Sequence, residues 1–110
     1  MAKALHAASQ GVGFIYVKGH GIQEATIKAA HASALEFFRH STFDKSMVTV
    51  SPKHRGWLGQ GGAVMADGGK TDLKESFIWG AEDADGNTGE DHPLRGNNRW
   101  PAFVPELQRH

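Results

Sequence analysis

The residues of this 110-residue chain that could do chemistry are its seven histidines, its carboxylates and one arginine set beside an aromatic residue. A mononuclear non-haem iron site takes two His and one carboxylate and keeps positions open for reactants. Its first two ligands commonly stand as H-x-D or H-x-E on a strand. No histidine here has an acid two residues later: His20 is followed by Gly21-Ile22, His54 by Arg55-Gly56 and His92 by Pro93-Leu94. No H-E-x-x-H is present. His20, between two glycines, reads as a turn residue rather than a ligand. With no Cys and no G-x-S-x-G elbow, neither a thiolate nor an activated serine is on offer. The residues themselves therefore assign no catalytic and no metal-ligating side chain.

Anion and cation loops fare little better. Gly69-Lys70-Thr71 ends like a phosphate loop, but the first glycine of that loop would fall at Val64, and no apolar strand precedes it. The dinucleotide pattern G-x-G-x-x-G fails at its third glycine, which is Val64 after Gly59 and Gly61, and Tyr16 after Gly11 and Gly13. Asp83-Ala84-Asp85-Gly86-Asn87 resembles the start of a calcium loop, yet its sixth and twelfth positions are Thr88 and Leu94 instead of Gly and Glu. An acidic surface loop is the better reading. Arg55, beside Gly56 and Trp57, is the candidate binding residue. A guanidinium in a packed segment can grip a substrate carboxylate through two parallel hydrogen bonds. On the residues alone the favoured reading is an internal salt bridge, with Glu75 as a candidate partner.

The elements that would position these residues are legible in outline. Ala2 to Gln10 reads as a short helix ended by Gly11 in a left-handed conformation. Phe14-Ile15-Tyr16-Val17 reads as a buried strand, followed by a turn at Lys18 to Gly21. Gln23 to His40 is the clearest helix. Ile27, Ala30, Ala34, Leu35 and Phe38 make one apolar stripe that predicts cover for the strand. Glu24 in its first turn and Arg39 and His40 in its last suit the helix dipole. Thr42 to Met47 holds one further helical turn. Lys53 to Gly59 reads as an extended segment entering a loop, and Asp72 to Gly80, which alternates Leu73, Glu75, Phe77 and Trp79, as a second strand. A last turn falls at Pro105 to His110.

Composition bounds the class. Twelve basic and twelve acidic side chains balance, which argues against a nucleic-acid partner and against docking on anionic lipid. No apolar run approaches the roughly 20 residues that cross a bilayer, and Met1 to His6 lacks the apolar core of a secretory signal. A cytoplasmic location is the expectation. The length suits one domain, residues 1–110, of the α+β class, with helices packed on a small number of strands.

Several segments together resemble a known family. Gly13-Phe14-Ile15-Tyr16-Val17 with His20-Gly21-Ile22 resembles the "G-F-F-Y-V-x-x-H-G-I" opening of the isopenicillin N synthase-like oxygenases, which are non-haem iron, 2-oxoglutarate-type dioxygenases. Glu36-Phe37-Phe38 followed by Asp44-Lys45 is similar to their "F-F-x-L-P-x-x-x-K". His54-Arg55-Gly56-Trp57 is similar to "R-G-Y", with Trp for Tyr. Asp72-Leu73-Lys74-Glu75-Ser76-Phe77 matches "D-x-K-E-x-F". Pro93 to Pro101 resembles "P-L-x-G-P-N-x-W-P", with Asn97 in place of Pro. The five run in family order across residues 11–105.

The resemblance implies the N-terminal region of such an enzyme. The Fe(II) ligands and the arginine that holds 2-oxoglutarate lie in a C-terminal jelly-roll core, which follows the W-P element in the family and is missing from residues 1–110. The region implied here supports that barrel, adds a strand to its sheet and shapes the pocket for a small-molecule substrate, with Arg55 as a substrate contact. Phe14, Tyr16, Leu35, Phe38, Trp57, Phe77 and Trp100 are implied to be packing residues. A stand-alone, non-catalytic interaction module that kept this fold is the alternative. Exposed apolar surface discriminates between them, because a region built to pack on a barrel exposes an apolar face when alone.

Overall fold

A computed structural model describes residues 1–62, 71–82 and 93–109. Its described elements are helices α1 (Ala2–Gln10), α2 (Glu24–Arg39) and α3 (Thr42–Ser46), strands β1 (Gly56–Leu58) and β2 (Ser76–Ile78), and a short 3-10 helix (Pro105–Gln108). The α+β class expected from sequence is what the chain adopts.

The core forms around one aromatic residue. Phe37 is fully buried near the end of α2, with Val48, Trp57 and Val104 completing the buried set. The Phe37 ring meets Phe38 and Phe77 edge-on, at 5.2 and 4.9 Å between centroids, and stacks on Phe103 at 5.9 Å. Edge-on contacts of this kind bring the positive rim of one ring to the negative face of another. The buried face of α2 is therefore Ala30, Ser33, Ala34, Phe37 and Phe38. That face differs in phase from the predicted stripe: Ala30, Ala34 and Phe38 turn inward, while Ile27 and Leu35 are exposed. Ser33 is tolerated inside because its hydroxyl donates to the Ala30 carbonyl, 3.0 Å away.

α2 begins and ends where charge favours it. Glu24 lies in its first turn and pairs with Lys28 one turn on, at 2.7 Å, and Arg39 lies in its last turn. α3 starts at a side-chain N-cap: Ser41 Oγ accepts from the Asp44 amide at 3.1 Å and donates to Asp44 Oδ2 at 2.7 Å. That hydrogen bond, helped by His40, holds the Asp44 carboxyl below its usual range.

β1 and β2 pair antiparallel, with Trp57 opposite Phe77. The chain at Val48 to Val50 crosses β1 closely, through Trp57 N to Val48 O and Val50 N to Trp57 O, both 2.7 Å. Gly56 makes this crossing possible. Its φ is +115°, and a Cβ there would strike the Val48 carbonyl. The strand at Asp72 to Gly80 is shorter than predicted, because only Ser76 to Ile78 has a ladder partner.

Two N-terminal expectations are corrected. Gly11 does not take the left-handed conformation; its φ is −96°, and Gly13 takes it instead, with φ +82° and its amide on the Ala8 carbonyl. More consequentially, Phe14 to Val17 is neither a strand nor buried. Phe14 is 85% exposed and Tyr16 fully so. The segment has the composition of a strand, but a strand exists only where a neighbour accepts its ladder. β1 and β2 take each other, and α2 covers β2 and the 3-10 helix rather than residues 14–17.

Candidate functional site

Two polar networks flank the aromatic core, and each joins segments far apart in sequence. The first is centred on Glu75, the residue just before β2. Lys45, at the end of α3, sends its ammonium to both Glu75 oxygens, at 2.9 and 2.8 Å, and to the Phe38 carbonyl at 3.1 Å. Those contacts use all three ammonium donors. Trp57 Nε1 donates to Glu75 Oε2 at 2.7 Å, and the Lys45 ammonium lies 5.6 Å from the centre of the Trp57 ring. The Lys45 side chain is only 7% exposed and that of Glu75 23%. Burial works against the Glu75 carboxylate, but the hydrogen bonds from Lys45 and Trp57 and the Lys45 charge outweigh it, so its pKa falls below the ordinary value. A water-accessible hollow of about 340 Å³ opens over this network, lined by Thr42, Lys45, Trp57, Gly59, Gln60 and Glu75.

The second network is centred on Asn98. Its side chain acts as a strand partner for Gly80, accepting from the Gly80 amide at 2.9 Å and donating to the Gly80 carbonyl at 2.7 Å. The same Nδ2 donates to Glu82 Oε1 at 2.8 Å, and Trp100 Nε1 donates to that oxygen at 2.8 Å. These bonds, Asn98 first and Trp100 second, hold the Glu82 carboxyl below its ordinary range, with the Arg55 charge adding to the effect.

Arg55 lies beside this second network. Nη2 donates to the Leu94 carbonyl at 2.9 Å and Nη1 to the His54 carbonyl at 3.2 Å, while Nε is buried with no partner among the described residues. A Cβ on Gly80 would run into the guanidinium, so the absence of a side chain there makes the seat. The internal salt bridge between Arg55 and Glu75 does not form. Lys45 and Trp57 occupy Glu75, and Arg55 reaches backbone carbonyls instead.

The structure thus brings Arg55, Gly80, Leu94, Asn98 and Trp100 together, and separately Lys45, Trp57 and Glu75. Sequence reasoning missed Lys45 as the partner of Glu75 and missed Asn98 altogether. Neither lies at a helical or strand spacing from its partner, so no periodicity pointed to them; their places in the family-like segments were the available signal. Ser41 was missed too, although S-x-x-D ahead of a helical turn carries that signal locally. His20 sits in its turn as expected, Nδ1 accepting from the Ile22 amide at 3.1 Å.

Among the described residues no group of three or more His, Cys, Asp or Glu side chains comes together as a metal cradle. These residues do not fit a resident iron. Gly69 and Lys70, and the acidic stretch 83–92, lie outside the described residues. No helix among the described residues is long and apolar enough to cross a membrane.

Comparison with known proteins bears on what these networks belong to. The family model described as "non-haem dioxygenase in morphine synthesis N-terminal" matches residues 1–103. A homoarginine-6-hydroxylase of Arabidopsis thaliana is 32% identical over 107 residues, which are 94% of this chain and 29% of that protein. A probable iron/ascorbate oxidoreductase of Dictyostelium discoideum is 27% identical over 118 residues, covering 98% of this chain and 31% of its own length. Validamycin A dioxygenase of Streptomyces hygroscopicus subsp. limoneus is 27% identical over 113 residues, covering 98% and 31%. The chain spans about a third of the length of the curated relatives it matches. No solved structure gives a significant match.

Proposed function

The chain belongs to the non-haem dioxygenase family, as its N-terminal region, and from that membership we propose that residues 1–110 are one supporting domain of a 2-oxoglutarate- and Fe(II)-dependent oxygenase acting on a small organic molecule. The match over residues 1–103 carries this reading. The iron and 2-oxoglutarate belong to a jelly-roll core beyond these residues. Relatives named for homoarginine and for validamycin A point to a small polar substrate. The enzyme works in the cytoplasm, without a nucleic-acid or membrane partner.

This chain's own share is support and shaping. Two features favour that share over a stand-alone interaction module. The segment Phe14 to Val17 offers exposed apolar side chains and, among the described residues, its backbone groups have no ladder. It suits a strand that joins the sheet of a larger core. An apolar groove of about 270 Å³ on the body, with Ala34, Phe38, Phe77, Trp79 and Leu107 in its lining, offers a second face for that core. Arg55 is the substrate-contacting residue of the reading. Its guanidinium is held at the wall between β1 and residues 94–100, and a substrate carboxylate would take over its Nη donors.

The test begins with the intact mass of the native polypeptide. A mass well above 11.9 kDa, with H-x-D and a distant His in the added sequence and Fe(II)-dependent decarboxylation of 2-oxoglutarate, is the expected result. A native mass near 11.9 kDa, with no such turnover, would overturn the enzyme reading. Arg55→Ala in the longer polypeptide is expected to raise KM for substrate and leave the KM for 2-oxoglutarate unchanged.

A further inference from the structure

Glu82 carries a charge that the fold fixes in place and that, among the described residues, no ion pair neutralises. Asn98 Nδ2 and Trp100 Nε1 both donate to Oε1, at 2.8 Å each. Two donors on one oxygen orient the carboxylate, and among the described residues none reaches Oε2. Arg55, the cation whose field reaches Glu82, directs its Nη donors to the His54 and Leu94 carbonyls.

Trp100, which holds this carboxylate, is one corner of a triangle of aromatic rings. Phe77 lies 5.9 Å from Trp100 and 6.2 Å from Trp79, and Trp79 lies 6.4 Å from Trp100, centroid to centroid. Trp79 is 61% exposed. Its ring lies 6.4 Å from that of Trp100, whose Nε1 holds Glu82, so an open indole stands one ring away from the oriented anion. A carboxylate held by one indole, with a second and exposed indole beside the first and one oxygen unbonded among the described residues, suits an organic cation. The free oxygen accepts an N–H from it, and the ring faces attract its charge and cover its carbon atoms. A guanidinium suits this better than an ammonium, because it is planar, weakly hydrated and stacks on aromatic faces.

We propose that Glu82, Trp79 and Trp100 form a binding site for an organic cation of the guanidinium class. The further assignment of that cation to the charged end of the substrate rests on the oxygenase reading above; cation binding by this chain does not.

The chain has three tryptophans, so their indole N–H resonances in a 15N-labelled sample make the test. The probe is n-butylguanidinium, and n-butylurea is its neutral isostere. The guanidinium is expected to shift the Trp79 and Trp100 indole signals saturably. The Trp57 signal, whose N–H is held by Glu75, stays in place and reports that the fold is intact. Glu82→Gln is expected to weaken binding by about tenfold, the loss of a charge-assisted hydrogen bond. Trp79→Leu, which leaves the Trp100–Glu82 bond alone, should weaken it by about threefold. An equal response to n-butylurea, or unchanged affinity in both variants, would overturn the site. Should Glu82→Gln displace the Trp57 signal, the Trp79→Leu result and the urea comparison decide alone. Cation binding without turnover in the longer polypeptide would overturn the oxygenase reading and keep the site. Turnover with no preference for guanidinium substrates would overturn only the substrate assignment.

Discussion

Residues 1–22 and residues 24–109 carry the same kind of family-like segments and treat them oppositely. In the later region, the segments meet each other. Lys45 of one, Trp57 of a second and Glu75 of a third close one buried network, while Arg55, Asn98 and Trp100 tie the ends of the sheet to residues 94–100. In the first region, α1 buries no residue, and Phe14, Tyr16 and Val17 face solvent. The contrast teaches where each segment's reason lies. The later segments are explained by contacts within this chain. The first has the residue types of a buried strand and, among the described residues, no neighbour to bury it, which is what the proposed reading assigns to a larger core.

That contrast can be broken most forcefully in the body. Phe37→Ala removes the ring on which the core aromatic residues converge, and it should cost about 3–5 kcal/mol in denaturant unfolding; in so small a core that loss abolishes cooperative unfolding. Lys45→Met should cost less, about 1–2 kcal/mol, because it leaves the partly buried Glu75 carboxylate, 23% exposed at the hollow, without its charged donor. Losing the pair also changes the pH profile. The folded Glu75 pKa lies below its ordinary value of 4.5, so the unfolded chain binds more protons as pH falls through that range. The stability due to the pair is full above about pH 5 and is lost as pH drops through the folded pKa. Acid titration of wild type and Lys45→Met, followed by Trp fluorescence, should show a steeper loss in the wild type.

A smaller effect sharpens the picture at the Arg55 seat. Gly80→Ala puts a methyl group where the guanidinium lies and should destabilise by about 1 kcal/mol. Combined with Arg55→Ala the cost should largely vanish, so a double-mutant cycle that is strictly additive would contradict the seat. In the arm, Phe14→Ser is expected to change the stability of this chain by less than about 0.5 kcal/mol, while reducing self-association measured by sedimentation.

Much of this was legible beforehand, and the misses share a cause. α1, α2 and α3 were readable because their signals are local: a run of alanines, end charges, and a polar start followed by apolar spacing. The phase of α2 was not. Ile27 and Leu35 are as apolar as Phe37, and only the position of Phe77 and Phe103 decides which of them turns inward. Phe14 to Val17 failed for the same reason, since composition marks a strand but not the presence of its partner. Arg55 was singled out by its neighbours Gly56 and Trp57. Its true contacts, a carbonyl 39 residues on and a bare glycine backbone, leave no mark that a linear reading detects.

The most direct test of the divided molecule is amide hydrogen exchange across residues 12–22, in this chain alone and in a longer polypeptide that includes the proposed jelly-roll core. The account predicts fast exchange at Phe14 to Val17 in the short chain, against slow exchange at Trp57 and Phe77, and strong protection of the same four amides in the longer protein. Equal, fast exchange of those amides in both would contradict it, because the first segment would then have no strand partner in the longer protein either.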